Sequence, residues 1–229
     1  MNHFLKPDLR ADFPHYVVRK SILFFLQEHA SNFSGKVIDL GCGNMPYKHW
    51  ILSQSNVEQY IGIDVSSSEY YQKAPDVIWD GVHIPFNDSS ADVVLLTEVV
   101  EHLSHPDEVL AEVFRVLKPG GKLIGTTPFF WPIHEAPNDI RRFTPFGMKI
   151  VLEAAQFNVV KVVSTGGWRV SLAQFITAYI GFGVKTKFTK RLLAAVFHYP
   201  VVWLSRSIRI IDEFPNTIML NTIGFVATK

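Results

Sequence analysis

Residues 36–44 constrain this chain more than any other stretch. Val37, Ile38 and Leu40 read as a buried strand that carries Asp39 near its end and runs into a turn built on Gly41 and Gly43. A second short apolar run, 60–64, ends in a second carboxylate, Asp64. In an open α/β sheet, ligands bind in the crevice outside the carboxyl ends of the strands. Two acids at the ends of neighbouring strands, beside a turn without bulky side chains, outline a nucleoside-sized site. Glycine suits that turn because a Cβ atom would hold a ligand away from the backbone.

The 229 residues suit one domain with appended elements. With 48% apolar and 19% charged residues, a substantial core is expected and global disorder is not. The net charge of +1 lacks the basic excess of general nucleic-acid binding, so no nucleic-acid partner is expected. Cys42 is the sole cysteine, which excludes an internal disulfide and a cysteine metal cluster. The nine histidines are scattered and HExxH is absent, so no metal is expected. The first eight residues lack the basic-then-apolar order of a secretion signal, and no apolar run is long enough to span a bilayer. A cytoplasmic protein is expected.

Hydrophobic periodicity predicts a helix over 13–30, with strands at 36–40, 60–64, 77–79 and 92–97. The fourth is a continuous apolar run of the kind covered on both faces of a parallel sheet. A helix should follow, with Ser104 as N-cap, Pro106 in its first turn, a stripe of Val109, Leu110, Val113, Val116 and Leu117, and a stop at Lys118-Pro119-Gly120-Gly121. Further strands are expected at 122–127, 159–164 and 222–228, and a helix from Thr144-Pro145 to about Ala155. Strands alternating with helices indicate an α/β fold with a doubly wound, mainly parallel sheet. Residues 165–215 exceed what that sheet needs. They read as a helical insertion or lid within a single domain spanning 1–229.

A glycine turn also serves dinucleotide-binding proteins, but their fingerprint wants a third glycine where this chain has Pro46. That favours a nucleoside site without a pyrophosphate in the turn. Asp64 suits ribose hydroxyls, since a carboxylate offers two strong acceptors, and Asp80 could meet an exocyclic amine. Asp39 and Asp64 could equally cap neighbouring turns. The ordered motifs Asp39-Leu40-Gly41-Cys42-Gly43, Gly62-Ile63-Asp64, Trp79-Asp80-Gly81, the run 86–94, Glu98-Val99-Val100-Glu101-His102-Leu103 and the run 115–121 together resemble the class I S-adenosylmethionine-dependent methyltransferases, most closely their type 11 group. The resemblance covers about residues 30–165 and the last strand. It implies a Rossmann-like, seven-stranded sheet with the final strand antiparallel, and S-adenosylmethionine as cofactor. It also implies cofactor-site roles: Asp39 and the turn Gly41, Cys42, Gly43 near the methionine part, Asp64 with Val65 on the ribose, Asp80 and Gly81 near the adenine, Glu98 and Val99 lining the site. Members of the family often carry a third glycine where this chain has Met45.

Residues 128–144 follow the fifth strand, so they should lie over the crevice mouth. They are aromatic, proline-rich and polar at intervals, and resemble a loop of methyltransferases in bacterial cell-surface sugar and lipid pathways. His134 is a candidate general base for an acceptor hydroxyl, with His102 a second candidate. Asp139 and Arg142 could orient that base, bind an anionic acceptor with Arg141, or form an ion pair that only holds the loop.

From Ala154 to Ile211 there is no Asp or Glu, while basic residues interleave with aromatics. Such a segment suits an anionic membrane interface, and 165–211 is a candidate peripheral membrane contact at the inner membrane face; a plain lid or a homodimer contact is the competing reading. The expected activity is methyl transfer to a small or lipid- or sugar-linked acceptor, at oxygen. A nicotinamide-dependent oxidoreductase and a non-catalytic nucleoside-binding module are the alternatives.

Overall fold

The computed structural model describes residues 4–65, 74–215 and 217–229. Met1 to His3, part of the segment read for a secretion signal, lie outside the described residues. Strands β1 (Ser34–Leu40), β2 (Asn56–Val65), β3 (Val77–Trp79), β4 (Ala91–Thr97), β5 (Leu117–Pro128), β6 (Asn158–Ser164) and β7 (Thr222–Thr228) form one sheet in the order β3-β2-β1-β4-β5-β7-β6. The pairs from β3 to β5 are parallel, and β7 lies antiparallel between β5 and β6. The chain order reverses between β1 and β4, which makes their carboxyl ends the switch point where a crevice opens.

Helices α1 (Tyr16–Glu28), α2 (Lys48–Gln54), α3 (Pro106–Val116) and α4 (Pro145–Ala154) belong to the alternating pattern. Between β6 and β7 come α5 (Trp168–Ala178), a π-helical turn (Tyr179–Gly183) and α6 (Lys187–Ser205). One core layer holds Ile38, Leu40, Ile63, Val94 and Leu96 against α3 and α4; the other holds Val37, Val93, Leu95 and Ile124 against Phe25 and Leu26 of α1. These β residues alternate between layers, as the two-residue period of a strand requires.

Several boundaries differ from expectation for identifiable reasons. β2 starts four residues before the apolar run, because Asn56 pairs with Ser34 and its polar entry is held by register, not burial. Helix α3 stops at Val116, before Lys118-Pro119-Gly120-Gly121, and those residues belong to β5. There Gly120 takes φ 78° and donates to the Lys229 carbonyl, while the Lys229 amide returns a bond to Gly121. His105, not Ser104, is the N-cap of α3, and it makes no side-chain cap bond. Thr144 does cap α4, its hydroxyl accepting from Gly147 N–H at 3.0 Å.

Candidate active site

The turn after β1 is held open by backbone geometry. Gly41 and Gly43 have φ of 69° and 50°, and a Cβ on Gly41 would lie 2.5 Å from a methyl of Val99. Only glycine combines that φ with that approach. Met45, where the resemblance leads one to expect glycine, also adopts positive φ, 50°. The left-handed turn is kept without the glycine. Asp64 binds this turn directly: its carboxylate accepts from Gly43 N–H and from its own neighbour Val65 N–H, each at 2.8 Å. It therefore caps the turn and lines the crevice at once.

Two contiguous chambers open at the mouth. The first, about 470 Å³, is lined by Asp64, Val65, Asp80, Gly81 and Val99 among others. The second, about 560 Å³, is lined by Cys42, Gly43, Tyr47, Trp131, His134 and Phe182 among others. Both are walled by Gly41, Glu98, His102 and Glu135. The nucleotide-sized first chamber and the more aromatic second one thus meet at a common partition.

Of the cofactor-site residues expected from sequence, Asp39 stands apart. It lines neither chamber; it is 2% exposed and accepts the Tyr60 hydroxyl at 2.6 Å from behind the turn. Burial pushes its carboxyl up to about 7, against the Tyr60 hydrogen bond, which lowers it. Asp80 borders the first chamber, but its Oδ1 accepts from Val82 and His83 N–H, at 2.8 and 2.7 Å, which caps its own loop. Those two bonds hold its carboxyl below the usual range.

The loop over the mouth is organised by Asp139. Its side chain is fully buried and takes a bidentate pair from Arg142, a bond from His134 N–H at 3.1 Å, and a contact with His134 Nδ1 at 3.0 Å. The Arg142 guanidinium holds the Asp139 carboxyl far below its ordinary value. Arg142 also reaches the Trp131 carbonyl, so its donors are spent inside the loop. Arg141 donates to the carbonyls of Leu103 and Ser104, fastening the loop to the start of α3. Both arginines are thereby loop-holding; neither presents a free fork to an anion. With its Nδ1 on an ionised carboxylate, the neutral His134 ring carries its proton there and leaves Nε2 as the acceptor. Burial, more than any neighbouring charge, lowers its pKa.

Sequence reasoning missed Glu101. It follows β4 in the segment leading to α3, is fully buried, and has one oxygen bonded by the Thr127 hydroxyl at 3.2 Å. His102, the second candidate base, lines both chambers, and its ring meets the His134 ring edge-on at a centroid distance of 4.8 Å. Glu98 sits at φ 53°, a strained value for glutamate, at the partition itself.

Comparison with known proteins fits this geometry. Residues 38–125 match a family model described as a methyltransferase domain. A tRNA U34 carboxymethyltransferase of Desulfotalea psychrophila is 34% identical over 111 residues, 43% of this chain and 34% of that protein. A ubiquinone biosynthesis O-methyltransferase of Pasteurella multocida is 27% identical over 145 residues, 52% of this chain and 58% of that one. The match thus spans less than two thirds of either relative. Among solved structures, an S-adenosylmethionine-dependent methyltransferase of Thermotoga maritima superposes with a TM-score of 0.61 at 16% identity, over 100% of both chains, a likeness of fold. Sheet order, motif order and the matched stretch agree: the chain carries a class I S-adenosylmethionine-dependent methyltransferase domain. S-adenosylmethionine is the cofactor of that class.

Proposed function

We propose that this protein transfers the methyl group of S-adenosylmethionine to a hydroxyl of a small or lipid-linked acceptor. The observation that carries the reading is the pair of chambers joined at Gly41, Glu98, His102 and Glu135. In this reading the adenosine occupies the first, with the ribose on Asp64 and Val65 and the adenine beside Asp80 and Gly81. The methionine part crosses the Gly41–Gly43 turn, Cys42 included, and passes between Glu98 and Val99. Asp39 supports the turn from behind through Tyr60. The acceptor occupies the second chamber.

The sulfonium donor is already activated, so the protein's main contribution is alignment of acceptor oxygen, methyl carbon and sulfur. The oxygen–carbon bond forms as the carbon–sulfur bond breaks, leaving a neutral thioether. The hydroxyl proton must leave, and the Nε2 lone pair of His134, aimed by Asp139 and Arg142, is the group positioned to promote that loss. His134 is therefore the catalytic residue of this proposal, and Asp139 and Arg142 are positioning residues.

The lipid-linked acceptor is argued from α5 and α6. Phe182 lines the acceptor chamber, stacks edge-on against Trp131 and is 52% exposed. It continues a row of exposed apolar residues at helical spacing, Trp168, Leu172, Phe175 and Tyr179, and α6, packed against α5, exposes Leu192, Val196, Tyr199 and Trp203. No helix among the described residues is long and apolar enough to cross a membrane. An outward apolar stripe with flanking bases instead suits a helix pair lying on a lipid surface, with the chamber mouth at its edge.

Titration calorimetry with S-adenosylhomocysteine and with NAD tests the cofactor assignment. Binding of the first and not the second is expected, with at least a tenfold loss in Asp64→Ala. Undiminished binding in that variant would remove the ribose role. Turnover of S-adenosylmethionine with hydroxylated lipid extracts separates the enzyme from a module that only binds.

A further inference from the structure

The partition between the chambers holds a constellation that cofactor binding does not use. One carboxylate oxygen of Glu101 and one ring nitrogen each of His102 and His134 lie within 4.8 Å of one another. Each of the three is fixed from behind. His102 Nδ1 faces the Asn138 carbonyl at 3.2 Å, and His134 Nδ1 faces Asp139 at 3.0 Å. Both rings must therefore carry their proton on Nδ1, and both are left with a bare Nε2. Glu101 Oε2 takes the Thr127 hydroxyl, while its Oε1 is buried without a hydrogen-bond partner among the described residues, 3.7 Å from His102 Nε2. Glu98 lines the same partition, and its Oε1 also has no hydrogen-bond partner among the described residues.

A buried carboxylate oxygen left unsatisfied costs on the order of 1–3 kcal/mol. Burial pushes the Glu101 carboxyl up, so a proton competes with an ion for this set; one carboxyl oxygen and two ring nitrogens that converge match a metal's ligand set. Histidine ligands of metals characteristically give their other N–H to a carboxylate or a backbone carbonyl, the two arrangements found here. Ligand atoms around a first-row ion stand about 3–4 Å apart, so small side-chain rotations would close this set.

We infer that Glu101, His102 and His134, with Glu98 beside them, form a binding site for a divalent first-row transition-metal ion at the junction of the two chambers. Mixed imidazole and carboxylate donors suit Mn²⁺, Fe²⁺, Co²⁺ or Zn²⁺ better than Mg²⁺ or Ca²⁺, which prefer oxygen alone. The site itself rests only on these side chains. Its role rests on the methyl-transfer reading above. With an ion bound, His134 Nε2 is its ligand and no longer the base described above, and the acceptor oxygen binds the ion at an open position. As a Lewis acid it lowers the hydroxyl pKa, so the proton goes to water at the mouth without a protein base. The oxygen then attacks the methyl carbon, sulfur leaves as the thioether, and the ion undergoes no redox change.

The test is Mn²⁺ binding to chelator-treated protein, read by electron paramagnetic resonance with no cofactor present. One Mn²⁺ per chain is expected. Glu101→Gln, which keeps size and can still take the Thr127 bond, should weaken it at least tenfold, and so should His102→Gln. Co²⁺ should give visible absorption bands characteristic of imidazole ligation in the parent and not in His102→Gln. Circular dichroism should be unchanged in both variants, and S-adenosylhomocysteine affinity should be unchanged in Glu101→Gln. Absence of Mn²⁺ binding at millimolar concentration, or equal binding by parent and both variants, would overturn the inference. In that event Glu101 is a buried acid and His134 acts as base unaided. If Mn²⁺ binds as expected but S-adenosylhomocysteine does not, the site stands and the methyl-transfer reading falls.

Discussion

Gly41 concentrates two constraints at one atom, since its φ is left-handed and Val99 stands where a Cβ would go. Gly41→Ala is expected to cost about 2–4 kcal/mol in urea unfolding, from backbone strain and overpacking together, and to abolish S-adenosylhomocysteine binding. Asp39 offers a pH test. Its carboxyl titrates at about 7 in the folded chain against 3.8 ordinarily. The folded state therefore holds a proton that the unfolded state releases. That stabilisation is full below about pH 4 and is lost as pH rises through 7. Stability should fall between about pH 4 and 7, and Asp39→Asn should remove a clear part of the fall; an unaltered slope in the variant would refute the assignment. Residue by residue, the sequence revealed what is local. The Gly41 turn and Asp64 are legible because strand end, glycine and acid follow one another. Asp39's true neighbour, Tyr60, is 21 residues away and is met only through the β1–β2 pairing, so its retreat from the crevice was not legible.

At the scale of elements, one side chain ties a strand entry to a helix. Arg115, near the end of α3, pairs with Glu112 and Asp88 and donates to the carbonyls of Ile84 and Phe86. The segment leading into β4 thus hangs on one guanidinium. Arg115→Ala should lower stability by about 2–4 kcal/mol in urea unfolding. Arg115→Lys should recover less than half of this, because an ammonium cannot span the same fork. Full rescue by lysine would mean that charge alone matters. The alternation of strands and helices was readable, since apolar runs bounded by glycine and proline mark them. The β5 entry was not, because Lys118-Pro119-Gly120-Gly121 carries helix-stopping chemistry and is held in the sheet by Lys229 from the far end of the chain. The joining of Glu101, His102 and His134 in one cluster escaped for a similar reason. Thirty-two positions separate the last two, and only the fold-back of the mouth loop unites them.

Taken whole, the molecule places Phe182, at the end of its exposed apolar row, in the wall of the second chamber. Basic residues Lys185, Lys187, Lys190 and Arg191 cluster between α5 and α6 or at the start of α6, and Arg206 and Arg209 follow α6. Each base near an anionic surface adds about 1 kcal/mol at most, and salt screens it. The protein is expected to co-sediment with vesicles containing phosphatidylserine at low salt, and Phe188→Ser with Trp203→Ser should reduce the bound fraction severalfold. A dimer contact through the same stripe would instead appear as a concentration-dependent mass in light scattering, lost in that double variant, with no vesicle binding.

Among the described residues strand β6 has β7 as its only partner strand, and the two are separated by all of α5 and α6. During synthesis, β6 leaves the ribosome with an unpaired edge and waits for roughly sixty more residues. Nascent chains arrested before residue 222 should be cut by protease within β6, whereas chains carried past 229 should resist. The last seven-residue strand is thus the clasp that turns an open, adhesive intermediate into a finished sheet.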